Sequence, residues 1–302
     1  MKKAILFLVV FVLILFVGCS LKGNNPTVDE SENNSQTTLD ADPEPVNSSK
    51  SKKVNELVDY SVLDPENKRG LSEKKISHSY GVAKDGKPNR ISVDYQNMFD
   101  EKGWNAVCYD NKTKEKSLYL TFDCGYENGN TEKILDVLKE KNVSAAFFCT
   151  LYEGKENKEL LKRMIDEGHV VGNHSNTHPS FATITRTQMR DEIKAMDDFL
   201  RTEFNYTSSF FRYPMGEYSE SSMDLVNSLG FKCVFWSCSY ADWDLNNQKG
   251  KQYAFETVTS RLHPGAIILL HSVSPDNAAA MADIIDYARE NGYEFKSLYD
   301  LT

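Results

Sequence analysis

The sequence has few cysteines and no pair of them at a metal-binding spacing. Six cysteines occur in 302 residues and none forms a CxxC pair, which excludes a zinc ribbon. A chain of this length can bury its own core, so a disulfide scaffold is not expected either. Cys19 is considered separately below, and an odd number of cysteines remains. Because disulfides pair cysteines two at a time, at least one of these thiols would stay free even outside the cytoplasm.

Positive charge is also scarce. The 35 Lys and Arg residues are outnumbered by 44 Asp and Glu residues, so the formal net charge is −9. No basic cluster with interleaved aromatic residues occurs, and nucleic acid is therefore not expected as a partner. The hydrophobic fraction of 40% is that of a globular protein.

One long apolar run stands at the start of the chain. Lys2 and Lys3 precede apolar residues 4–17, and Gly18 and Cys19 follow. A basic start, a short apolar stretch and a small residue before the cleavage point predict a signal peptide over residues 1–18. The stretch FVGC resembles a bacterial lipobox, which implies a lipid anchor on Cys19 and a location on the extracytoplasmic face of the cell membrane. Ordinary secretion and an uncleaved signal anchor are the alternatives.

Residues 19–75 are predicted to carry the lipid anchor and to form a flexible linker. Between residues 24 and 47 there are acidic residues and no basic ones, a composition that stays unfolded. Residues 54–75 fit either a helix or a continuation of the linker. Aromatic residues return after residue 76, and residues 76–302 are predicted to form the folded domain, with residues 76–110 packed on its core.

After residue 116, short apolar runs alternate with amphipathic segments. The runs predict strands over 117–122, 145–149, 169–172, 210–212, 232–236, 266–270 and 294–297. The amphipathic segments predict helices over 131–142, 157–167, 187–204, 219–229, 253–262 and 277–291. A Thr185–Gln188 capping box precedes the third helix. Such alternation favours parallel strands with right-handed crossovers, and the fold predicted is a distorted (β/α)7 barrel of the α/β class.

Polar side chains follow several of these predicted strands. They are Asp123, Cys124, His174, His178, Arg212, Asp242, Trp243 and His271. Because active sites in α/β barrels lie at the carboxyl ends of the strands, these side chains are expected to lie together at one end of the barrel.

Four of these side chains also have a bland structural interpretation. An i,i+4 pair such as His174 and His178 faces one way on a helical turn and can chelate a divalent metal, but the spacing alone is a weak signal. Gly172 and Pro179 beside the pair indicate a shaped loop. Asp123 is a candidate general base, or else a helix cap or surface ion pair. His271 is a candidate acid, or else a buried core histidine.

The order and spacing of five motifs carry a family resemblance. TFDCG, HSNTH, RYPMG, ADW and LLH resemble the motifs of the NodB-like polysaccharide deacetylases, a carbohydrate esterase family. The resemblance covers residues 116–302. The longer stretches GHVVGNHSNTHP and HPGAIILLHSVSPDNA resemble the delta-lactam-biosynthetic de-N-acetylases of spore-forming bacteria.

The resemblance implies a substrate and an activity. Those enzymes remove the acetyl group from N-acetylmuramic acid in peptidoglycan, before muramic δ-lactam forms in the spore cortex. An N-acetylglucosamine or chitin-type deacetylase and an O-acetyl esterase are alternatives within the class. From another class, the alternative is a catalytically weak, lipid-anchored glycan-binding protein. The partners expected are peptidoglycan glycan strands and the membrane, and the chain is expected to be a monomer.

The resemblance also implies a metal and a base. His174 and His178 would hold one divalent metal ion, with Zn²⁺ expected first and Mn²⁺, Co²⁺ or Mg²⁺ as alternatives. Asp123 would be the general base that deprotonates a water molecule polarised by the metal. Arg212 would keep that carboxylate ionised.

The remaining implied roles concern the leaving group and the acetyl group. The backbone N–H of Met215 would stabilise the oxyanion. His271 would protonate the departing amine, and Asp242 would tune that histidine. Trp243 and Leu269 would form the walls of the pocket for the acetyl methyl group.

Cys124 departs from the family pattern. Most of the family has a second Asp at this position as the third metal ligand, and the de-N-acetylase branch generally has Asn. A thiolate binds zinc well, but its sulfur lies one bond closer to the backbone than an Asp oxygen, and a Zn–S bond longer by about 0.2–0.3 Å does not restore the reach. We expect a metal site of two histidines and water, with Cys124 nearby and not firmly bound.

Overall fold

The computed structural model describes residues 58–301, so the predicted signal peptide, Cys19 and most of the predicted linker lie outside the described residues. The strands in this range are β1 (Ile76–Ser77), β2 (Ala106–Val107), β3 (Ser117–Cys124), β4 (Ala146–Cys149), β5 (Val170–Asn173), β6 (Phe210–Phe211), β7 (Glu217–Tyr218), β8 (Lys232–Val234), β9 (Ala266–His271) and β10 (Glu294–Phe295). The helices are α1 (Arg90–Glu101), α2 (Thr131–Glu140), α3 (Leu151–Glu156), α4 (Lys158–Asp166), α5 (Arg186–Phe204), α6 (Glu220–Ser228), α7 (Lys251–Thr259) and α8 (Pro275–Glu290).

The main sheet is parallel and curled. Its strands follow the order β10-β3-β4-β5-β6-β8-β2, and β9 also pairs with β3. After β8, Cys238 forms a parallel bridge with Ile268 of β9, which brings the two sides of the sheet together. With helices between successive strands, this architecture confirms the predicted distorted α/β barrel.

Successive side chains of β3 pack into different core clusters, because both faces of the sheet are covered. Leu118, Leu120 and Phe122 pack into one core cluster together with residues of α2 and α8, whereas Tyr119 belongs to a second cluster. Successive side chains of a strand point to opposite faces, so a strand covered on both sides reads as a continuous apolar run. At the end of β3, Asp123 and its neighbour Cys124 therefore leave the strand in opposite directions.

Local signals set the ends of several helices. The predicted capping box of α5 is present, because Thr185 accepts from the backbone N–H of Gln188 and the Gln188 side chain accepts from the backbone N–H of Thr185. Asn205 ends α5 in the left-handed region at φ 51°. Ser274 caps α8, and Pro275 occupies its first turn.

The segment before the predicted domain contacts the folded core. Residues 58–75 contain no helix. Tyr60 packs against the second core cluster, and its carbonyl accepts a hydrogen bond from Arg190 Nη1 at 3.0 Å. Arg186 reaches the carbonyl of Leu63 at 2.9 Å. Of the two alternatives for residues 54–75, the described part is an irregular segment that lies on the domain.

Sequence patterns missed several short elements. Helices α1 and α3 and strands β1, β2 and β7 were not predicted, and the strands predicted over 210–212 and 232–236 end earlier, at Phe211 and Val234. Two-residue strands have no periodicity to detect, and α1 is rich in polar residues that favour turns as readily as helices.

Candidate active site

A cavity of about 830 Å³ opens at the carboxyl ends of the parallel strands. The sequence-predicted residues among those that line it are Asp123, His174, His178, Met215, Trp243, Leu269 and His271. Arg212 and Asp242 are buried and contact two of these residues from behind. Cys124 does not line the cavity.

Asp123 is held by a buried arginine. Arg212 Nη1 donates to Asp123 Oδ1 at 2.8 Å, and its Nη2 donates to Thr121 Oγ1 at 2.9 Å. Arg212 Nε donates to the carbonyl of Val234, and the guanidinium lies over the Phe148 ring at 4.1 Å. Burial would raise the pKa of Asp123, but the charge of Arg212 and the facing histidines lower it below its ordinary value. The carboxylate is therefore ionised and able to accept a proton.

Phe148 can lie under Arg212 because a glycine faces it. A Cβ atom on Gly172 of β5 would stand 2.3 Å from Cδ1 of the Phe148 ring. Residue 172 therefore has to be glycine for the ring to support the guanidinium. Sequence reasoning noted Gly172 only as a loop signal, and no pattern pointed to its contact with residue 148.

His271 is bound to a buried carboxylate at two points. Its Nδ1 lies 2.7 Å from Asp242 Oδ1, and its backbone N–H donates to Asp242 Oδ2 at 2.7 Å. Asn277 Nδ2 donates to the same Oδ2 at 2.6 Å, and Tyr240 donates in turn to Asn277. Burial disfavours the imidazolium, yet the charge and hydrogen bond of Asp242 raise the pKa of His271 above its ordinary value. With Nδ1 bound to the carboxylate, Nε2 is left to act in the cavity.

His174 and His178 meet on a loop and not on a helical turn. Ser175 and His178 have positive φ values of 74° and 59°, and the two rings lie 4.9 Å apart at their centroids. His174 Nδ1 donates to the carbonyl of Arg212 at 2.8 Å, so its Nε2 carries the lone pair, 3.5 Å from Asp123 Oδ2. Burial lowers the pKa of His174 to about 4 and also lowers the pKa of His178. Both imidazoles are therefore neutral near pH 7.

A carboxylate on α5 anchors this loop, and sequence reasoning did not find it. Glu192 Oε2 accepts from the backbone N–H groups of Asn176 and Thr177 at 3.0 and 2.7 Å. Glu192 Oε1 accepts from Thr177 Oγ1 at 2.7 Å. The loop between the two histidines is thus tied to a helix. The signal available in the sequence was an acidic residue one helix beyond the motif, which is too common to stand out.

The two histidines fit a divalent metal ion only in part. Neutral imidazoles with a free ring nitrogen, beside an ionised carboxylate, are suitable donors for Zn²⁺ and similar ions. Within residues 58–301, however, no group of three His, Cys, Asp or Glu residues is gathered at metal-binding distance. His174 and His178 are the residues that would hold such an ion, with water or substrate completing its coordination.

Cys124 lies on the other face of β3. Its sulfur accepts a hydrogen bond from Ser272 Oγ at 3.4 Å and belongs to the core cluster on the helix side. Cys149 is its register partner on β4. The contact with Cys124 and burial raise the pKa of Cys149 well above its ordinary value. The structure thus does not bring the thiol of residue 124 to the two histidines.

The remaining predicted residues border the open part of the cavity. Met215 lies in the turn Pro214–Gly216 at φ 57°, and the residue is 55% exposed. Trp243 is 56% exposed, and its ring centroid lies 5.8 Å from that of His271. Leu269 is buried on β9. An apolar wall is thus placed beside the acid and the base.

An ionised carboxylate and a carboxylate-bound histidine in one cavity are the groups that an enzyme working by general acid–base catalysis needs. The family profile described as "Polysaccharide deacetylase" matches residues 110–234. The peptidoglycan-N-acetylmuramic acid deacetylase PdaA of Bacillus subtilis is 46% identical over 194 residues, which are 64% of this chain and 74% of the relative. The chain belongs to the polysaccharide deacetylase family, as its motifs predicted.

Solved structures and a further relative agree with this assignment. The structure of Bacillus subtilis PdaA, described as a family 4 carbohydrate esterase, has a TM-score of 0.73 at 40% identity, over 76% of this chain and 98% of that chain. A peptidoglycan-N-acetylglucosamine deacetylase of Bacillus cereus is 31% identical over 185 residues, 60% of this chain and 65% of the relative. Deacetylases of this family generally use a divalent metal ion.

Proposed function

We propose that the protein removes the acetyl group from N-acetylmuramic acid residues of peptidoglycan, with the help of one divalent metal ion. The observation that carries the chemistry is the pairing of Asp123 with Arg212 in the cavity that also holds the His271–Asp242 pair. The muramic substrate is supported by the similarity to the Bacillus subtilis enzyme.

The nucleophile is water, and Asp123 is the group that takes its proton. A divalent ion on His174 and His178 would supply Lewis acidity at the acetamide carbonyl and lower the pKa of water, and Zn²⁺ suits two imidazoles best. Arg212 keeps the carboxylate ionised before the reaction, and the hydrogen bond from Arg212 leaves Asp123 Oδ2 to accept the proton.

The second half of the reaction belongs to His271. As the new C–O bond forms, negative charge develops on the carbonyl oxygen, and the backbone N–H of Met215 is the donor proposed for it. His271 Nε2 then gives its proton to the amide nitrogen, the C–N bond breaks, and acetate and a free amine leave. Asp242 stabilises the imidazolium that this step needs.

The test uses the purified full-length protein and intact peptidoglycan. We expect acetate release that stops with a chelator and returns with Zn²⁺, and mass spectra in which muramic residues lose acetyl groups. Loss of acetyl from glucosamine, with muramic residues intact, would contradict the substrate. The absence of metal-dependent acetate release from every glycan tried would favour a glycan-binding protein.

One observation favours N-acetylglucosamine as a second candidate substrate. No Lys or Arg is found among the described residues that line the cavity. A muramic residue with a free lactyl group carries a carboxylate, which would have to be bound by neutral donors such as the side-chain amide of Asn176. The same mass spectra separate the two sugars.

We further propose that residues 1–18 are a signal peptide and that Cys19 is lipidated, which would hold the enzyme on the extracytoplasmic face of the membrane. Support comes from the basic start, the apolar run and the FVGC stretch. A monomeric state is a separate part of the proposal. A role in sporulation would follow if muramic δ-lactam is the product to which this deacetylation leads.

A further inference from the structure

Residues 76–80, which precede α1 in the chain, contact the active site, although the family match does not include them. Residues 76–80 lie before residue 110, where the family match begins. Strand β1 pairs antiparallel with β7, which places Ile76 opposite Tyr218 and Ser77 opposite Glu217. Since β7 directly follows the turn Pro214–Gly216, this small sheet continues from the turn that carries Met215.

His78 adds two contacts to the same turn. Its backbone N–H donates to the carbonyl of Gly216 at 2.9 Å. Its ring Nε2 donates to the carbonyl of Trp236 at 2.8 Å. The ring lies between Tyr95 and Phe235, each 4.8 Å away at the centroids. Burial lowers the pKa of His78 to about 4, so the ring is a neutral donor held in an aromatic surrounding.

Gly216 is enclosed by these groups. Its φ is 66°, and a Cβ atom there would stand 2.9 Å from Cη2 of Trp236 and 3.3 Å from Cβ of His78. A side chain at this position would therefore push the turn away from His78 and Trp236. The backbone of the Met215 turn is thus fixed between the segment 76–80 and the indole of Trp236.

Tyr80 continues the segment into the cavity itself. It lines the cavity together with Trp236 and Ser239, and its ring centroid lies 6.4 Å from that of Trp236. A tyrosine phenol is protonated at neutral pH and can donate a hydrogen bond, and burial raises the pKa of Tyr80 further.

We propose that the segment 76–80 completes the active site: His78 is a positioning residue for the Met215 turn, and Tyr80 contacts the sugar in the cavity. This rests on the proposed function, because it assigns new residues to the same reaction. A turn that drifts by about 1 Å would misplace its N–H donor and lower kcat by roughly 100-fold without a large change in KM. Loss of one neutral hydrogen bond from Tyr80 would instead raise KM by about 3- to 10-fold.

The kinetic test compares His78→Ala, His78→Gln, Tyr80→Phe and the control Lys74→Ala, which changes an exposed side chain two residues before the segment. We expect His78→Ala to lower kcat, His78→Gln to restore most of it through an amide donor to Trp236, and Tyr80→Phe to raise KM. If His78→Gln regains thermal stability but not kcat, or if Tyr80→Phe behaves like Lys74→Ala, the assigned roles are wrong.

A second measurement does not depend on the substrate. Amide hydrogen exchange of a peptide spanning residues 213–218 should be faster in His78→Ala than in wild type or Lys74→Ala. Unchanged exchange would overturn the positioning role even if acetate release is found. Faster exchange in a protein that deacetylates no glycan would mean instead that the proposed function has failed while the contact stands.

Discussion

Two carboxylates in the active site have opposite tasks because their partners differ. Asp123 faces a permanent cation, Arg212, and stays an ionised proton acceptor. Asp242 faces a histidine and is held by Asn277, so its charge raises the proton affinity of His271. When the surroundings lower the pKa of one titratable group and raise that of another, the first group is the base and the second is the acid.

The acid can be tested through its partner, with Asp242→Asn. The raised pKa of His271 keeps the imidazolium populated to higher pH, so the alkaline limb of kcat should lie above the ordinary histidine value. Without the carboxylate that limb should move to lower pH, and kcat at neutral pH should fall by roughly 100-fold. Rates of acetate release across pH measure both effects.

The control for this prediction is Asp244→Asn, which changes an exposed carboxylate of the same loop whose Oδ1 caps a short helical turn. An amide oxygen can still accept that hydrogen bond. If the alkaline limb of Asp242→Asn coincides with that of Asp244→Asn, His271 is not the group that titrates.

Cys124 gives a second prediction at this scale. Because its sulfur is buried on the helix side beside Ser272, Cys124→Ala should leave the affinity for Zn²⁺ unchanged, measured by titration calorimetry. His178→Ala serves as the comparison and should weaken binding by orders of magnitude. A loss of affinity in Cys124→Ala similar to that of His178→Ala would restore the thiol as a ligand.

At the scale of elements, the ends of parallel strands bring distant residues together. Arg212 and Asp123 are far apart in sequence and meet because β6 and β3 end at the same rim of the curled sheet. Phe148, which contacts Arg212, lies one residue before the end of β4, and Gly172 on β5 leaves space for its ring. Four neighbouring strands, β3 to β6, therefore contribute to the position of the base.

Gly172→Ala tests this support. The added Cβ would displace the Phe148 ring, and overpacking of this kind costs about 1–3 kcal/mol of unfolding free energy. We also expect kcat to fall, since Arg212 loses the ring beneath it. Thermal unfolding and acetate release measure the two effects.

Two further variants isolate the cause. Gly125→Ala places a Cβ where nothing lies within 4 Å and should leave stability nearly unchanged. The double variant Gly172→Ala/Phe148→Leu should recover stability, since the smaller side chain relieves the clash, but not kcat. A stable and fully active Gly172→Ala protein would contradict the role given to the ring.

The sequence could predict where strands end, but not which residues from other segments contact those ends. Alternation of apolar runs located β3, β5 and β9 and hence the residues that follow them. The spacing of His174 and His178 was informative, although two positive φ values and Glu192, not a helical turn, bring their rings together. The contact of His78 with Gly216 joins segments that show no periodicity, so no pattern could reveal it.

At the scale of the whole molecule, the described chain is a domain with an attached N-terminal segment. Asp224 on α6 pairs with Arg69 of that segment at 2.6 Å and with Arg186 of α5 at 2.7 Å. No helix within residues 58–301 is long and apolar enough to cross a membrane.

Lipidation of Cys19 can be tested in cells. If Cys19 is lipidated, cells fed an alkyne-labelled fatty acid should label the wild-type protein, and the variant Cys19→Ala should carry no label. Ser20→Ala is the control and should be labelled like wild type, since the thioether forms on the cysteine sulfur. An unlabelled wild-type protein of full-length mass would indicate an uncleaved signal anchor, and one without residues 1–18 would indicate ordinary secretion. Either result would contradict the lipid anchor and leave the chemistry of the domain untouched, because Cys19 lies outside it.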